Sequence, residues 1–250
     1  MTLGHFEAGS GWEAQVRQYV RKKYRQDLEG LVLIDPAALA GVFRGELITG
    51  RPYATIRWVM RVNPFRPLEV YLLFDQDPEF GTDLRVFFAR KSLVVPTEDA
   101  YVFAWDYVAL LARYGRGQFS LDHPGPGPEW LPFDDFAPEG AGPMKDVSLG
   151  AREEILELLS PEVAEVAVRR LDCGVFARGD DFWEVVWPLL GDLSFRFRRG
   201  RAGSEMAFDS HGAKKYGPEL LLSFSWLYLN ALLRESRQVD PGLPRLSRYC

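Results

Sequence analysis

The densest run of groups that could do chemistry is Asp75-Gln-Asp77-Pro-Glu79-Phe-Gly81-Thr-Asp83. Carboxylates at every second position from 75 to 79, and again at 83, offer the oxygen ligands that Ca²⁺ and Mg²⁺ take. Asp75, Asp77, Glu79 and Asp83 are therefore candidate metal ligands, and the enzyme they would serve is a metal-dependent hydrolase. The spacing departs from an EF-hand: Gly81 falls one place late, Pro78 intrudes, and no Glu follows at the twelfth position. The plainer use of such a run is a solvated acidic turn between strands.

A basic cluster, Arg196, Arg198, Arg199 and Arg201, occupies the corresponding turn of the second half. Guanidinium forks bind phosphate or carboxylate at two points, so Arg198, Arg199 and Arg201 are candidate anion-binding residues for a small-anion site in a crevice between the halves. Alternation of Arg196 and Arg198 along a strand gives the competing reading of an exposed sheet face. A metal site shared by both halves would not reverse its charge in this way.

Other catalytic signatures are weak. The histidines are His5, His123 and His211. Asp209, Ser210 and His211 are contiguous, and side chains so close in sequence rarely converge as a triad; there is no G-x-S-x-G elbow. Cys173 and Cys250 lack zinc or disulfide-framework spacing, and Cys173 reads as a small buried hydrophobe. No P-loop and no G-x-G-x-x-G after a strand is present. No cofactor is implied.

Residues 115–146 hold six Gly and six Pro, with HPGPGPEW at 123–130. Such a stretch reads as a connecting loop, since Pro lacks the amide donor and Gly the stiffness for regular structure. Yet it carries Trp130, Phe133 and Phe136. These aromatics predict packing on the body of the protein or docking to a partner, and they are the candidate partner-binding residues.

The elements that must position these groups follow from periodicity. Apolar residues at helical spacing predict a helix from Ser10 to about Leu28, stopped by Gly30, with Arg17, Arg21, Lys22 and Arg25 on its other face. Asp35-Pro36 opens a short helical turn. Strands are expected at 41–48, 53–62, 68–74 and 84–89, the second alternating in period two. Thr97 is the expected cap of a helix to Tyr114.

The second half repeats this order: a helix over 150–159, Ser160-Pro161 opening another, strands at 174–176, 182–187, 193–198 and 205–209, and a long helix from Gly217-Pro218 to about Arg234. Phe103, Trp105 and Tyr107 recur as Phe224, Trp226 and Tyr228. The expectation is an α+β protein built from a duplicated helix–four-strand–helix unit, with antiparallel sheets covered by long amphipathic helices. The first repeat is 1–114, the connecting loop 115–146 and the second repeat 147–250. The two sheets are expected to join edges or to pack separately.

Bulk composition bounds the rest. Aromatics make up 14% of the 250 residues and can supply a large core. A net charge of −5 argues against a general nucleic-acid binder. The first residues lack a secretory signal and no apolar run approaches a bilayer span, so a cytoplasmic location is expected. Abundant aromatics without catalytic motifs favour a non-catalytic binding or assembly protein, an accessory or scaffold subunit, with a protein partner or self-association.

Overall fold

Alternating burial builds both sheets. In the computed structural model, which describes residues 1–50, 53–122, 125–136 and 152–246, Trp58, Met60 and Val62 are buried, Val59 and Arg61 between them are half-buried, and Arg57 and Asn63 on either side are exposed. This is β2 (Ile56–Phe65), which pairs antiparallel with a two-residue β1 (Glu46–Leu47) and with β3 (Leu68–Asp77); β3 pairs with β4 (Gly81–Phe88). The sheet order is β1-β2-β3-β4. Before it come α1 (Ser10–Gln18), a π-helical turn over Tyr19–Lys23, α2 (Arg25–Glu29) and α3 (Pro36–Val42). After it comes α4 (Thr97–Gly115).

Aromatic contacts close this unit, residues 1–123. Phe103 of α4 meets Phe65, and Tyr107 meets Phe43, at ring separations of 5.6 and 5.7 Å. The half-buried side of α4 carries α1 and the π turn, with Trp12 on Tyr101 at 4.4 Å and Tyr19 on Trp105 at 3.8 Å. Large rings make a wide core with few residues. The end of α2 crosses the end of α4 so closely that a Cβ on Gly30 would lie 1.8 Å from the Gly115 carbonyl oxygen. No other residue fits either position without moving backbone.

The second unit spans 124–250. It begins with β5 (Trp130–Pro132) and α5 (Phe133–Phe136), continues with α6 at residues 152–158 and α7 (Pro161–Leu171), and forms β6 (Val175–Arg178), β7 (Phe182–Leu190), β8 (Leu193–Gly200) and β9 (Gly203–Asp209). Then come α8 (Ser210–Lys215) and α9 (Pro218–Val239). The sheet is antiparallel in the order β5-β9-β8-β7-β6. Trp187, Phe195 and Phe208 are fully buried, and Trp187 reaches Tyr228 of α9 at 6.1 Å.

The α+β class and the antiparallel sheets stand as expected. The sheets are separate, of four and five strands. Both units run short helix, four-strand meander, long helix. Both prolines expected to end strands sit inside them: Pro64 in β2 and Pro188 in β7 lie at register shifts, between Val62 and Phe65 and between Pro188 and Leu190. A bulge frees the backbone position at which Pro has no donor.

Several boundaries differ from the sequence reading. Residues 41–43 end α3 rather than starting a strand, so β1 shrinks to two residues. Asp35 and Ser160 do cap their helices, accepting from Ala37 N–H at 3.0 Å and Val163 N–H at 3.3 Å. Ser10 and Thr97 do not: each is the first helical residue, and the Thr97 hydroxyl donates instead to the Glu7 carbonyl at 2.6 Å.

Candidate functional site

The acidic run from 75 to 83 closes the β3–β4 hairpin. Asp75 and Asp83 are cross-strand partners, and Arg85 lies on both, at 2.6 Å from Asp75 and 3.6 Å from Asp83. Asp77 turns the chain: its carboxylate accepts the Glu79 and Phe80 amides at 2.8 and 2.9 Å. Glu79 is exposed at the tip. Asp75 Oδ1 is buried without a protein partner, but the positive charge beside it is already Arg85. Among the described residues no group of three or more His, Cys, Asp and Glu is placed to hold a metal ion.

The arginines of the second unit are matched internally. Arg196 pairs with Glu205 at 2.6 Å, Arg198 with Glu184 at 2.7 Å and Arg201 with Asp181 at 2.6 Å; Arg199 pairs with Glu153 and lies 3.8 Å from Glu157. Neighbouring strand residues point to opposite faces. Accordingly Arg198 lies over the Phe182 ring at 4.5 Å, while Arg199 reaches the helix at 152–158. The structure does not bring Arg198, Arg199 and Arg201 to one point.

Within the Gly/Pro stretch, residues 125–136 belong to the second unit. Trp130 is half-buried in β5, on the edge of β9, with Arg196 over its ring at 5.0 Å. Phe133 is 1% exposed, 6.3 Å from Phe208, and belongs to the core. The Phe136 side chain and His123 lie outside the described residues, as does Cys250.

Asp209 holds this arrangement. Fully buried, it accepts amides from Gly127 at 2.8 Å, His211 at 3.2 Å, Gly212 at 2.9 Å and also Ser194. Both its oxygens are therefore taken by backbone, and the His211 ring turns to the Gly125 carbonyl at 3.0 Å. Asp209, Ser210 and His211 do not form a relay. His5 Nδ1 accepts the Thr2 amide at 3.1 Å in the N-terminal turn. Cys173 is half-buried; burial and the neighbouring Asp172 push its thiol up to about 12, which leaves little thiolate for reaction.

A feature that sequence reading did not single out lies at the hairpin end of the first sheet. There a cleft of about 810 Å³ is lined by Leu33, Thr55, Arg57, Gln76, Asp77 and Thr82, among others. Leu33 is 91% exposed. Tyr53, at 72%, and Phe80, at 74%, each follow or precede a lining residue by one position. Of the acidic run, Asp77 is in the cleft wall, and Glu79 and Phe80 follow at the exposed tip of the hairpin. Glu29 of α2 is a second carboxylate in the wall. No periodic pattern could have announced this, because the three apolar residues come from three separated segments, Leu33 from a 3-10 turn.

No protein-family model matches this chain, and no curated protein matches it. Among the described residues no helix is long and apolar enough to cross a membrane.

Proposed function

We propose that this is a non-catalytic binding or assembly protein that takes a protein partner on the cleft of its first unit. The observation that carries the reading is a cleft walled by the 91%-exposed Leu33, with the exposed Tyr53 and Phe80 next in sequence to its lining residues Ala54 and Gly81. Single exposed apolar residues are ordinary, but a grouped set around a cleft is the mark of an interaction surface. In the lining the carboxylates Glu29 and Asp77 outnumber Arg57, which favours a partner segment that carries a basic side chain among apolar ones. Asp77 is engaged in its turn, and Asp75 and Asp83 with Arg85.

The test is the double substitution Leu33→Glu, Phe80→Glu, at positions where the fold itself should change by less than about 0.5 kcal/mol. The partner is identified by cross-linking and co-purification of the natural protein, then titrated against both forms. Affinity should fall at least tenfold in the variant, while Trp130→Ala leaves it unchanged. Equal affinity in the double variant would remove the cleft as the binding surface.

A further inference from the structure

Strand β4 is the last of its sheet; α2 and the π turn pack against it, and among the described residues its outer backbone groups are paired at one residue. The Phe88 amide donates to the Met1 carbonyl at 2.7 Å, and the Met1 amino group donates to the Phe88 carbonyl at 2.9 Å. Along an antiparallel strand, residues alternate in the side to which their N–H and C=O point. Since Phe88 bonds outward, Val86, Leu84 and Thr82 also present both groups outward. Neighbouring bonds agree: the Ala89 amide donates inward to the Glu69 carbonyl at 3.0 Å, and the Gln76 amide, opposite Thr82, donates away from it to Thr55 at 2.9 Å. Among the described residues no backbone partner faces Thr82, Leu84 or Val86 on the outer side.

The N-terminal segment leaves this edge at Leu3, where a 3-10 turn over Leu3–His5 begins. Beside it opens a cavity of about 210 Å³, between residues 83–87 of β4 and Val16, Arg17 and Arg21. This is where a strand continuing from Met1 would lie. We propose that the outer edge of β4 takes an extended acidic segment of a partner protein as an added strand. This site touches the apolar cleft at Thr82 but runs on to Leu84 and Val86, and its main-chain bonds do not depend on the cleft's apolar side chains.

Charge selects the occupant. Arg17, Arg21 and Arg25 recur every fourth residue beside the edge. A guanidinium nitrogen of Arg25 lies 3.2 Å from where a Cβ on Gly81 would begin, so the row reaches the start of β4. Arg17 is held by Glu13 at 2.6 Å and Arg25 only loosely by Glu29 at 4.0 Å. Arg21 is exposed and makes no ion pair among the described residues. A second copy of this chain, edge to edge, would bring the same arginines against them. A segment bearing Asp or Glu meets them favourably, while main-chain bonds to residues 82, 84 and 86 supply affinity without regard to sequence. The corresponding strand of the other unit, β9, is already covered over three residues by β5.

The probes are two capped hexapeptides, one alternating Val with Glu and one alternating Val with Lys, titrated into the full-length ¹⁵N-labelled protein. The Val–Glu peptide should shift the amide signals of Thr82, Leu84 and Val86 and slow their hydrogen exchange. Arg21→Glu should weaken it at least tenfold with the rest of the spectrum intact, and Leu33→Glu, Phe80→Glu should not alter it. The proposal is overturned if those three amides do not respond, if the Val–Lys peptide binds as well, or if Arg21→Glu binds as tightly as the natural protein.

Discussion

The two sheets end in hairpins of opposite charge and differ in how their last strands are closed. At 75–83 the carboxylates outnumber their one arginine, and the turn residues Asp77 and Glu79 stay at the surface. At 196–205 every arginine finds a carboxylate on a neighbouring strand, loop or helix. A charged run in sequence thus says little by itself, because pairing across a sheet joins residues nine to fourteen positions apart. The second contrast concerns closure. Strand β9 has β5 along three residues and Asp209 gathering four amides behind it, whereas β4 has Met1 alone, with Ala89 following its last residue. In the second unit the hairpin arginines are paired internally; the first unit keeps exposed apolar side chains and, among the described residues, an arginine without an ion pair, Arg21. Both surfaces proposed above for recognition lie in the first unit.

Asp209→Ala should break the second unit's advantage most severely. It would strand buried amides of Ser194 and Gly212 as well as those of Gly127 and His211, at about 1–3 kcal/mol for a buried unsatisfied group. A loss of roughly 3 kcal/mol or more is expected in urea denaturation, together with faster proteolysis near Gly127 as β5 loosens. A change under about 1 kcal/mol would mean that Asp209 is not what fastens the edge.

Gly115→Ala probes the first unit's own fastening. Its new methyl would lie 2.1 Å from the Asp27 carbonyl oxygen, and overpacking of this kind costs about 1–3 kcal/mol. Gly11→Ala, in open space within α1, should instead stabilise by about 0.5–1 kcal/mol. Thermal unfolding of the two variants separates the effects by sign.

The smallest effect concerns the single residue covering β4. Burial raises the pKa of Glu13, but the Thr2 hydroxyl, the Gly4 amide and Arg17 together outweigh it and hold the carboxyl below its ordinary value of 4.5. Its contribution is therefore complete above pH 4.5 and is lost as pH falls through the depressed value. Exchange at the Phe88 amide, after correction for intrinsic rate, should accelerate over that range. Glu13→Gln should remove the pH dependence; an unchanged profile in that variant would detach the N-terminal clasp from Glu13.

Much of the scaffold was legible because period-two burial and helix signals are local. The strands around Trp58 and Phe195, the Asp35 and Ser160 caps and the paired Phe/Trp/Tyr triplets follow from residues a few positions apart. In both closing helices the outer members, Phe103 and Tyr107 or Phe224 and Tyr228, are buried, and the middle Trp is half-buried. That Trp meets Tyr19 in one unit and Arg152 in the other. What was not legible is nonlocal. Nothing near Trp130 announces that Pro-rich chain will pair with β9, since the partner lies about eighty residues away. The fate of Arg198 depends on Glu184, and the exposure of Leu33, Tyr53 and Phe80 depends on what does not cover them.

The pairing of residues 130–132 with β9 carries a lesson about autonomy. The second unit borrows its finishing strand from chain that precedes its first long helix, so its natural beginning is not where its helices begin. Severed after residue 132, the remainder would retain its meander and its long helix yet present a raw flank of unsatisfied backbone. Such a flank invites mispairing with its own kind.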